Sequence, residues 1–348
     1  MSYNIYDTIR GIYMYMKNIL VTGGAGYIGS HTVYELRKHG YNCVILDNFS
    51  QGCHEFTKGC KTYEVDLKNI SDIKKVFAEN DFDAVIHFAA IAKIAQSVAT
   101  PQRYYYNNVV NTLNLLAVMR EFHVKKFVFS SSCAIYGEPV YIPLSENHPK
   151  NPISPYGRSK LMVEHILRDY DKAYGIKYIA LRYFNAAGAS TEKNLGEIHS
   201  AETHIIPIIL KTIDEPNEKF VIYGDQHHTL DGTSIRDYVH VEDLAYAHRL
   251  AVERLFSGSK SDVFNLGTGH GTSVREVISA VERVTGQEVS VEIGQPREGE
   301  PDILYASCSK ARRVLGWQAK YENIDDIIRS AWEWEKKLKS AQSLSDIV

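Results

Sequence analysis

The segment ILVTGGAGYIGSHTVYEL, residues 19–36, restricts the possible fold more than any other, because it joins an apolar strand to a helix through spaced glycines. Gly23, Gly26 and Gly29 follow the spacing G-x-x-G-x-x-G. Glycines at such a turn let the backbone bend tightly and approach a pyrophosphate, whose charge is stabilised by the positive end of the helix dipole. The segment therefore predicts a dinucleotide site at the first strand–helix turn of an α/β domain.

Short apolar runs alternate with helix-length segments through the first half of the chain. They read KNILVTG, CVILD, KTYEVD, AVIHFAA, KFVFSSS and YIALRYFN. Apolar runs without polar alternation indicate strands buried on both faces, as in a parallel sheet covered by helices. The predicted fold class is α/β, a doubly wound parallel Rossmann-type sheet with a smaller α/β lobe for substrate.

Helix signals, and a less regular alternation of strand and helix patterns in the second half, divide the chain into predicted domains. Thr100 with Pro101 and Ser154 with Pro155 predict capped helix starts, Ser273 and Glu276 form a predicted capping box, and residues 322–337 predict a closing amphipathic helix. We expect an N-terminal extension over residues 1–16, a dinucleotide-binding domain over 17–187 and a substrate domain over 188–348. Residues around 235–256 are expected to pack back on the first domain.

Composition excludes several classes of partner. The chain has 348 residues, a formal net charge of -3 with both signs scattered, and no apolar run long enough for a membrane helix. We therefore expect neither nucleic acid nor membrane as a partner, and a cytoplasmic protein. The five cysteines form no C-x-x-C pair, and Cys53, His54 and Cys60 leave a zinc shell incomplete, so no metal is expected.

Asp47 ends the second predicted strand, where an acidic side chain accepts hydrogen bonds from the ribose hydroxyls of the adenosine. A carboxylate repels a 2′-phosphate, and no arginine or lysine follows within DNFSQG. The sequence thus predicts NAD rather than NADP.

Tyr156 and Lys160 lie four residues apart at the start of a predicted helix, on the same face. Lowering a phenol pKa by about 3 units takes about 4 kcal/mol, and an ammonium about 4 Å away supplies about that much at an effective dielectric of 20. Burial raises the pKa of the phenol and so opposes this stabilisation. The positive charge of an oxidised nicotinamide would help to lower the phenol pKa. Ser130, Ser131 and Ser132 end a buried strand, and a serine there can relay a substrate proton to the tyrosine.

The order TGGAGYIG, HFAA, SSSCAIYG, SPYGRSK and LRYFN resembles the extended short-chain dehydrogenase/reductases, and among them the UDP-sugar 4-epimerases. The resemblance continues through GEIHSAETHIIP, DGTSIRDYVHVEDLAYAH, FNLGTGHGTSV and PREGEPD, and so covers Lys17 to about Trp334. It implies interconversion of UDP-glucose and UDP-galactose through a 4-keto sugar, with tightly bound NAD and a homodimer formed through helices of the first lobe.

The resemblance also implies a set of site residues. Tyr156 would be the general base and acid, Ser132 the proton relay, and Lys160 the cation that tunes Tyr156. Implied cofactor contacts are Gly23, Gly26, Tyr27, Ile28, Gly29, Asp47, Asn48, Asp66, Leu67, Phe88, Ala89, Ala90, Asn107, Ser130, Tyr156, Lys160 and Tyr183. Implied substrate contacts are Ser132, Phe184, Asn185, His204, Ile205, Tyr223, Arg236, Tyr238, Arg297, Glu300 and Leu304, of which the two arginines suit diphosphate oxygens.

Two positions depart from the family pattern. Many members carry a lysine where this chain has Ala92, with Lys93 one place later. The position seven after Arg297 is Leu304 rather than the tyrosine of members restricted to simple hexoses, which predicts activity on UDP-N-acetylglucosamine.

Three alternatives stay open at this point. One is a 4-epimerase of another UDP-sugar, a uronic acid or pentose. The second is a nucleotide-sugar dehydratase or decarboxylase, although Cys133 and Ala134 occupy the positions where dehydratases carry an Asp-Glu pair. The third is a non-catalytic dinucleotide sensor. His227 and His228 are expected to face solvent, and Trp317, Trp332 and Trp334 to serve packing.

Overall fold

The computed structural model describes residues 16–198, 202–213, 215, 218–296 and 301–345. Its largest element is a parallel sheet of seven strands. They are β1 (Asn18–Thr22), β2 (Asn42–Asp47), β3 (Lys61–Glu64), β4 (Ala84–His87), β5 (Lys126–Ser132), β6 (Lys177–Tyr183) and β11 (Asp262–Leu266). Their spatial order is β11-β6-β5-β4-β1-β2-β3, and every neighbouring pair is parallel.

The first six strands are the six that the sequence predicts, and the fold class is confirmed. In β1, β4 and β5 nearly every residue is buried, which explains why their sequences lack polar alternation. The seventh strand, β11, was not predicted from the apolar runs of the first half. It extends the sheet beside β6 from a position about 80 residues later in the chain.

Helices cover both faces of this sheet and build a smaller layer beyond it. Their bounds are α1 (Tyr27–Lys38), α2 (Ile70–Ala78), α3 (Ile94–Ala99), α4 (Pro101–Tyr105), α5 (Asn111–Glu121), α6 (Pro155–Tyr174), α7 (Ile205–Thr212), α8 (Val241–Phe256), α9 (Val274–Thr285) and α10 (Ile324–Ser345). A π-helical turn, Tyr106–Val110, joins α4 to α5. Two apolar clusters fill the faces of the sheet, one containing α1 and α8 residues and the other α2, α5 and α6 residues.

All three predicted helix starts are confirmed in position, and two of them have the predicted side-chain cap. Ser154 accepts a hydrogen bond from the Gly157 N–H at the start of α6, and Ser273 forms the capping box with Glu276. The helix start predicted at Thr100 and Pro101 is confirmed, since Thr100 is the N-cap and α4 begins at Pro101, but the Thr100 hydroxyl makes no cap hydrogen bond and donates instead to the carbonyl of Gln96 at 2.9 Å. Threonine side chains readily bond a carbonyl one turn back, and this local partner competes with the cap.

Short strands and three helices form the smaller layer. The strands are β7 (Asn185–Ala187), β8 (Phe220–Tyr223), β9 (Ile235–Arg236), β10 (Tyr238–His240), β12 (Thr272–Ser273), β13 (Val291–Gly294) and β14 (Ile303–Leu304). A third apolar cluster joins α7, α9 and α10. Trp317 and Trp334 are buried and Trp332 packs against this cluster, so the predicted packing role is confirmed.

His227 departs from its expected exposure. Its side chain is 11% exposed and its Nδ1 lies 2.7 Å from a carboxylate oxygen of Asp302, whereas His228 is 97% exposed. The partner is 75 residues away in sequence, which is why the polar turn alone did not reveal it. No helix in the described part of the chain has the length and apolar character that crossing a bilayer requires.

Candidate active site

The turn between β1 and α1 is shaped by close backbone packing. Gly23 has a φ of 72°, and its N–H donates to the carbonyl of Leu46 at 2.8 Å. A Cβ on Gly29 would lie 2.2 Å from the carbonyl oxygen of Gly23, so only glycine lets α1 begin this close to the turn. Gly26 is different, because a Cβ there would meet only one atom, the carbonyl oxygen of Gly23 at 3.3 Å.

The space beside Gly26 is therefore open at the N-terminus of α1, and a dinucleotide pyrophosphate fits a helix end with this shape. The side chains that follow point elsewhere. The Tyr27 hydroxyl donates to the carbonyl of Gly188 at 2.5 Å, and Ile28 packs against the core. Any contact of these two residues with a diphosphate would therefore be made by backbone N–H groups.

Asp47, Asn48 and Asp66 meet at the carboxyl ends of β2 and β3. The two Asp47 oxygens accept hydrogen bonds from the N–H groups of Ala25 and Phe49, at 3.0 and 2.9 Å. Burial raises the pKa of Asp47, and the backbone hydrogen bonds oppose this rise. The Asn48 amide donates to Asp66 at 3.2 Å. A carboxylate has about four lone-pair sites, so Asp47 keeps acceptor capacity for a ribose hydroxyl.

The end of β5 and the first turns of α6 bring Ser132, Tyr156 and Lys160 together. Tyr156 is 8% exposed and Lys160 3% exposed. The Lys160 ammonium donates to the carbonyl of Ser130 at 2.8 Å and lies 5.8 Å from the centre of the Tyr156 ring. The Ser132 side chain lowers the pKa of the Tyr156 phenol, which places the two groups near each other, and its hydroxyl accepts the N–H of Ala134 at 3.2 Å. Phenol, ammonium and hydroxyl thus share one buried site.

Burial controls the protonation of this site in the chain without a bound cofactor. Burial raises the pKa of Tyr156 well above the ordinary value, with a smaller rise from Tyr183, while the nearby Ser132 side chain opposes the rise. Burial also lowers the pKa of Lys160 to about 7. The depressed phenol pKa that the Tyr156–Lys160 spacing suggests is therefore absent here, because desolvation outweighs the neighbouring ammonium. Further positive charge is needed to ionise the phenol at neutral pH.

The three serines at the end of β5 face three different partners. Ser130 is hydrogen-bonded to the hydroxyl of Tyr183, and Ser131 donates to Glu164 at 2.6 Å. Of the three, Ser132 is the one whose side chain acts on the pKa of Tyr156. Their position at the strand end did not distinguish their roles, and it was the family resemblance that implied Ser132 as the relay.

The neighbouring strand ends complete the pocket. A Cβ on Gly23 would lie 2.6 Å from the N–H nitrogen of Ala89, so the glycine turn rests against the segment after β4 that carries Phe88, Ala89 and Ala90. The Asn107 amide donates to the side chain of Asn108 at 3.0 Å. The carbonyl of Leu67 accepts from Asn114 at 3.0 Å.

Ala92 and Lys93, where the chain departs from the family pattern, lie beside this pocket. Ala92 is exposed, and the carbonyl of Lys93 accepts the hydroxyl of Tyr104 at 2.6 Å.

One buried group that sequence reasoning missed is His87. Its ring nitrogens lie 2.6 Å from the Thr22 hydroxyl and 2.9 Å from the Thr112 hydroxyl. Burial, and after it the charge of Lys160, lower the pKa of His87 to about 3. His87 is therefore neutral and anchors β4 beside Lys160. This histidine belongs to the motif HFAA, but nothing in its local sequence indicates a role for it.

The expected substrate residues separate into three sets. Phe184 and Leu304 are buried in one apolar cluster with Ile135 and Tyr136. Leu304 lies opposite Arg236 in a parallel strand pair, and the charge of Arg236 acts on Cys133, which follows Ser132. Asn185 pairs with Tyr238, and its amide donates to the carbonyl of Asp237 at 3.0 Å.

The second set is more exposed. Tyr223 ends β8 and is 44% exposed. His204 and Ile205 begin α7, and His204 contacts the carboxylate of Glu197. The third set, Arg297 and Glu300, lies outside the described residues, as does most of the N-terminal extension.

Comparison with known proteins adds independent evidence. Residues 19–267 match the profile of the NAD dependent epimerase/dehydratase family. A UDP-glucose 4-epimerase of Lactobacillus helveticus is 48% identical over 319 residues, which are 91% of this chain and 97% of that protein.

Two solved structures are similar over nearly their whole length. UDP-glucose 4-epimerase from Brucella ovis in complex with NAD is 45% identical, with a TM-score of 0.88 over 91% of this chain and 97% of that one. UDP-glucose 4-epimerase from Bifidobacterium longum in complex with NAD+ and UDP is 40% identical, with a TM-score of 0.87 over 92% and 98% of the two chains.

Proposed function

The chain belongs to the NAD-dependent epimerase/dehydratase family, and from this membership we propose that it interconverts UDP-glucose and UDP-galactose through a 4-keto sugar. The observation that carries the proposal is the meeting of Ser132, Tyr156 and Lys160 in one buried site beside the glycine turn. A non-catalytic sensor would have no need for this arrangement.

NAD is the cofactor of the family and the one that this chain uses. The residues proposed to hold it are the glycine turn for the pyrophosphate and Asp47 for the ribose. Near the nicotinamide we place Phe88, Tyr183 and Lys160. Bound NAD supplies reversible two-electron oxidation at C4 of the hexose, chemistry that no side chain here provides.

Tyr156 is proposed to take the proton from the C4 hydroxyl and to return it, as general base and then general acid. Ser132, whose side chain acts on the Tyr156 phenol, is proposed to relay that proton. The hydrogen bond to the Ser130 carbonyl holds the Lys160 side chain in place, and its ammonium adds positive charge near the phenol. Exclusion of water strengthens these interactions, because both side chains are more than nine-tenths buried.

The substrate is proposed to bind between the end of β5 and the smaller layer. Arg236 is placed to pair with diphosphate oxygens, and Phe184 with Leu304 would form the apolar wall of the pocket. A leucine in that wall leaves more room than a tyrosine, so we propose that UDP-N-acetylglucosamine is also a substrate. Arg297 and Glu300 remain proposed contacts on the resemblance alone.

A homodimer and a cytoplasmic location are also proposed. The dimer is supported by apolar side chains that are exposed on α3, the π-helical turn and α6. Ile94 is 53% exposed, Val98 65%, Tyr106 58% and Met162 44%. These helices belong to the first lobe, and α6 carries Tyr156.

The decisive experiment supplies the purified protein with UDP-glucose and no added NAD, and resolves the products by chromatography. Accumulation of UDP-galactose supports the proposal. Tyr156→Phe should reduce turnover by a factor of about 100 or more, while the bound NAD measured after denaturation stays at the wild-type amount. Wild-type protein that holds NAD but converts none of UDP-glucose, UDP-N-acetylglucosamine or UDP-glucuronate would refute an epimerase.

A further inference from the structure

Asp237 lies within the proposed substrate site, between Arg236 at the end of β9 and Tyr238 at the start of β10. It is completely buried, with an exposed fraction of 0%. The charges of Arg236 and Asp237 both act on Cys133, the residue after Ser132, so this carboxylate lies near the catalytic end of β5. The family resemblance implies substrate contacts on either side of Asp237 but none by Asp237 itself.

The carboxylate of Asp237 accepts four hydrogen bonds from two other segments of the chain. Oδ1 accepts the N–H of Thr268 at 2.7 Å and the hydroxyl of Thr268 at 2.8 Å. Oδ2 accepts the N–H groups of Gly269 and Ala306, both at 3.1 Å. Thr268 and Gly269 follow β11, the outermost strand of the main sheet, whereas Ala306 comes two residues after Leu304 in β14. One side chain thus joins the main sheet to a pocket strand of the smaller layer.

The backbone of Asp237 makes a third connection. Its carbonyl accepts the backbone N–H of Asn185 at 2.9 Å and the side-chain amide of Asn185 at 3.0 Å. Asn185 begins β7 and is one of the proposed substrate contacts. The orientation of its amide is therefore set by Asp237.

The packing around this carboxylate is tight. A Cβ on Gly267 would lie 2.3 Å from Oδ2 of Asp237, so the chain after β11 can approach this closely only because residue 267 is glycine. Burial raises the pKa of Asp237, and the hydrogen bonds from Thr268, Ala306 and Gly269 oppose this rise. A buried carboxylate is costly unless its lone pairs are used, and four donors match the about four sites that it offers. Hydrogen bonds to a charged acceptor are also stronger than those between neutral groups, which makes this junction rigid.

We propose that Asp237 is a positioning residue for the nucleotide sugar, because it holds Asn185, Arg236 and the segment after Leu304 at one fixed spacing. The proposal rests on the function proposed above, since it takes these residues to line the site of a UDP-sugar. A guanidinium pairs with diphosphate oxygens in a bidentate geometry, and a displacement of about 1 Å is enough to lose much of such a contact. Lys160 is held separately by the carbonyl of Ser130, so the loss is expected in substrate binding rather than in the chemical step.

The test measures the affinity of the NAD-loaded protein for UDP by isothermal titration calorimetry, and in parallel KM and kcat for UDP-glucose. Asp237→Asn puts an NH2 group opposite two hydrogen-bond donors, so the Kd of UDP and the KM should rise about tenfold or more. The kcat and the NAD content should change by less than about twofold.

A milder pair of variants keeps the test open if Asp237→Asn does not fold. Thr268→Val removes the hydroxyl donor at nearly constant volume and should raise the Kd of UDP about threefold or more. Thr268→Ser keeps that hydroxyl and should restore the wild-type value within about twofold.

Asp243→Asn is the matched control for a general loss of stability. Asp243 is 3% exposed, and its carboxylate accepts the N–H groups of Lys320 and Tyr321 at 2.9 and 3.0 Å. These partners precede α10 and are not among the proposed substrate contacts. Asp243→Asn should lower Tm, as Asp237→Asn does, but should leave the UDP affinity and the KM unchanged.

Wild-type UDP affinity in both Asp237→Asn and Thr268→Val would overturn the proposal. A loss confined to kcat, or an equal loss of UDP affinity in Asp243→Asn, would overturn it as well. A wild-type protein that binds UDP but converts no UDP-sugar would refute the proposed epimerase alone, because the UDP affinities of the variants still test the positioning role. A wild-type protein that binds no UDP would overturn both.

Discussion

Lys160→Met should make the NAD-free protein more stable and, at the same time, inactive. Burial lowers the pKa of Lys160 from 10.5 to about 7, which corresponds to about 5 kcal/mol against the charged form. Methionine has a similar length without the charge, but it loses the hydrogen bond to the Ser130 carbonyl, at a cost of about 1 to 3 kcal/mol. The net expectation is a gain in the free energy of unfolding of about 2 to 4 kcal/mol at pH 6.

The pH dependence gives the sharper signature. Between pH 7 and 10.5 the unfolded wild-type chain keeps the Lys160 proton while the folded chain releases it. The unfolded state therefore binds more protons, and the free energy of unfolding of the wild type should rise with pH across this window. Lys160→Met lacks this contribution, so its advantage should be largest below pH 7, shrink as the pH rises and reverse before pH 10.5, where only the lost hydrogen bond remains.

Urea unfolding of the NAD-free proteins at pH 6, 7.5 and 9, followed by circular dichroism, measures both effects. Lys172→Met is the control, because Lys172 lies on the same helix but is exposed. It should change the unfolding free energy by less than about 0.5 kcal/mol at every pH. A Lys160→Met protein that is less stable than the wild type at pH 6, or that keeps the same pH slope, would refute the reasoning.

Three further perturbations test other parts of the molecule. Gly26→Ala should lower the NAD content but leave the NAD-free Tm nearly unchanged. Gly29→Ala should lower the yield of folded protein, because its Cβ would lie 2.2 Å from a backbone oxygen. Equal effects of the two variants on NAD content and on folding would contradict this. Arg182→Met leaves the buried Glu164 carboxylate without its ion pair and should cost about 3 to 5 kcal/mol in urea unfolding. Leu304→Tyr should reduce turnover of UDP-N-acetylglucosamine about tenfold or more relative to UDP-glucose, measured by product chromatography; equal losses would count against the proposed pocket wall.

Much of the first lobe could be predicted from local signals. The glycine spacing, the buried strands and the capped start of α6 each depend on residues within a few positions of one another. These patterns gave six of the strands and the cofactor class. They also placed Tyr156 and Lys160 on one helix face, although the roles of both residues and the domain limits at residues 16 and 187 stay predictions.

The remaining features depend on residues far apart in the sequence. The strand β11 joins the sheet beside β6 only after the chain has passed through the smaller layer, and His227 finds its partner Asp302 in a distant segment. The different partners of Ser130 and Ser131, and the burial that sets the pKa of Tyr156 and Lys160, are likewise decided by packing. Sequence alone thus determined which chemical groups lie near one another along each element. Only the tertiary structure decided how much water reaches them, and this controls their charge because desolvation depends on every element packed around the site.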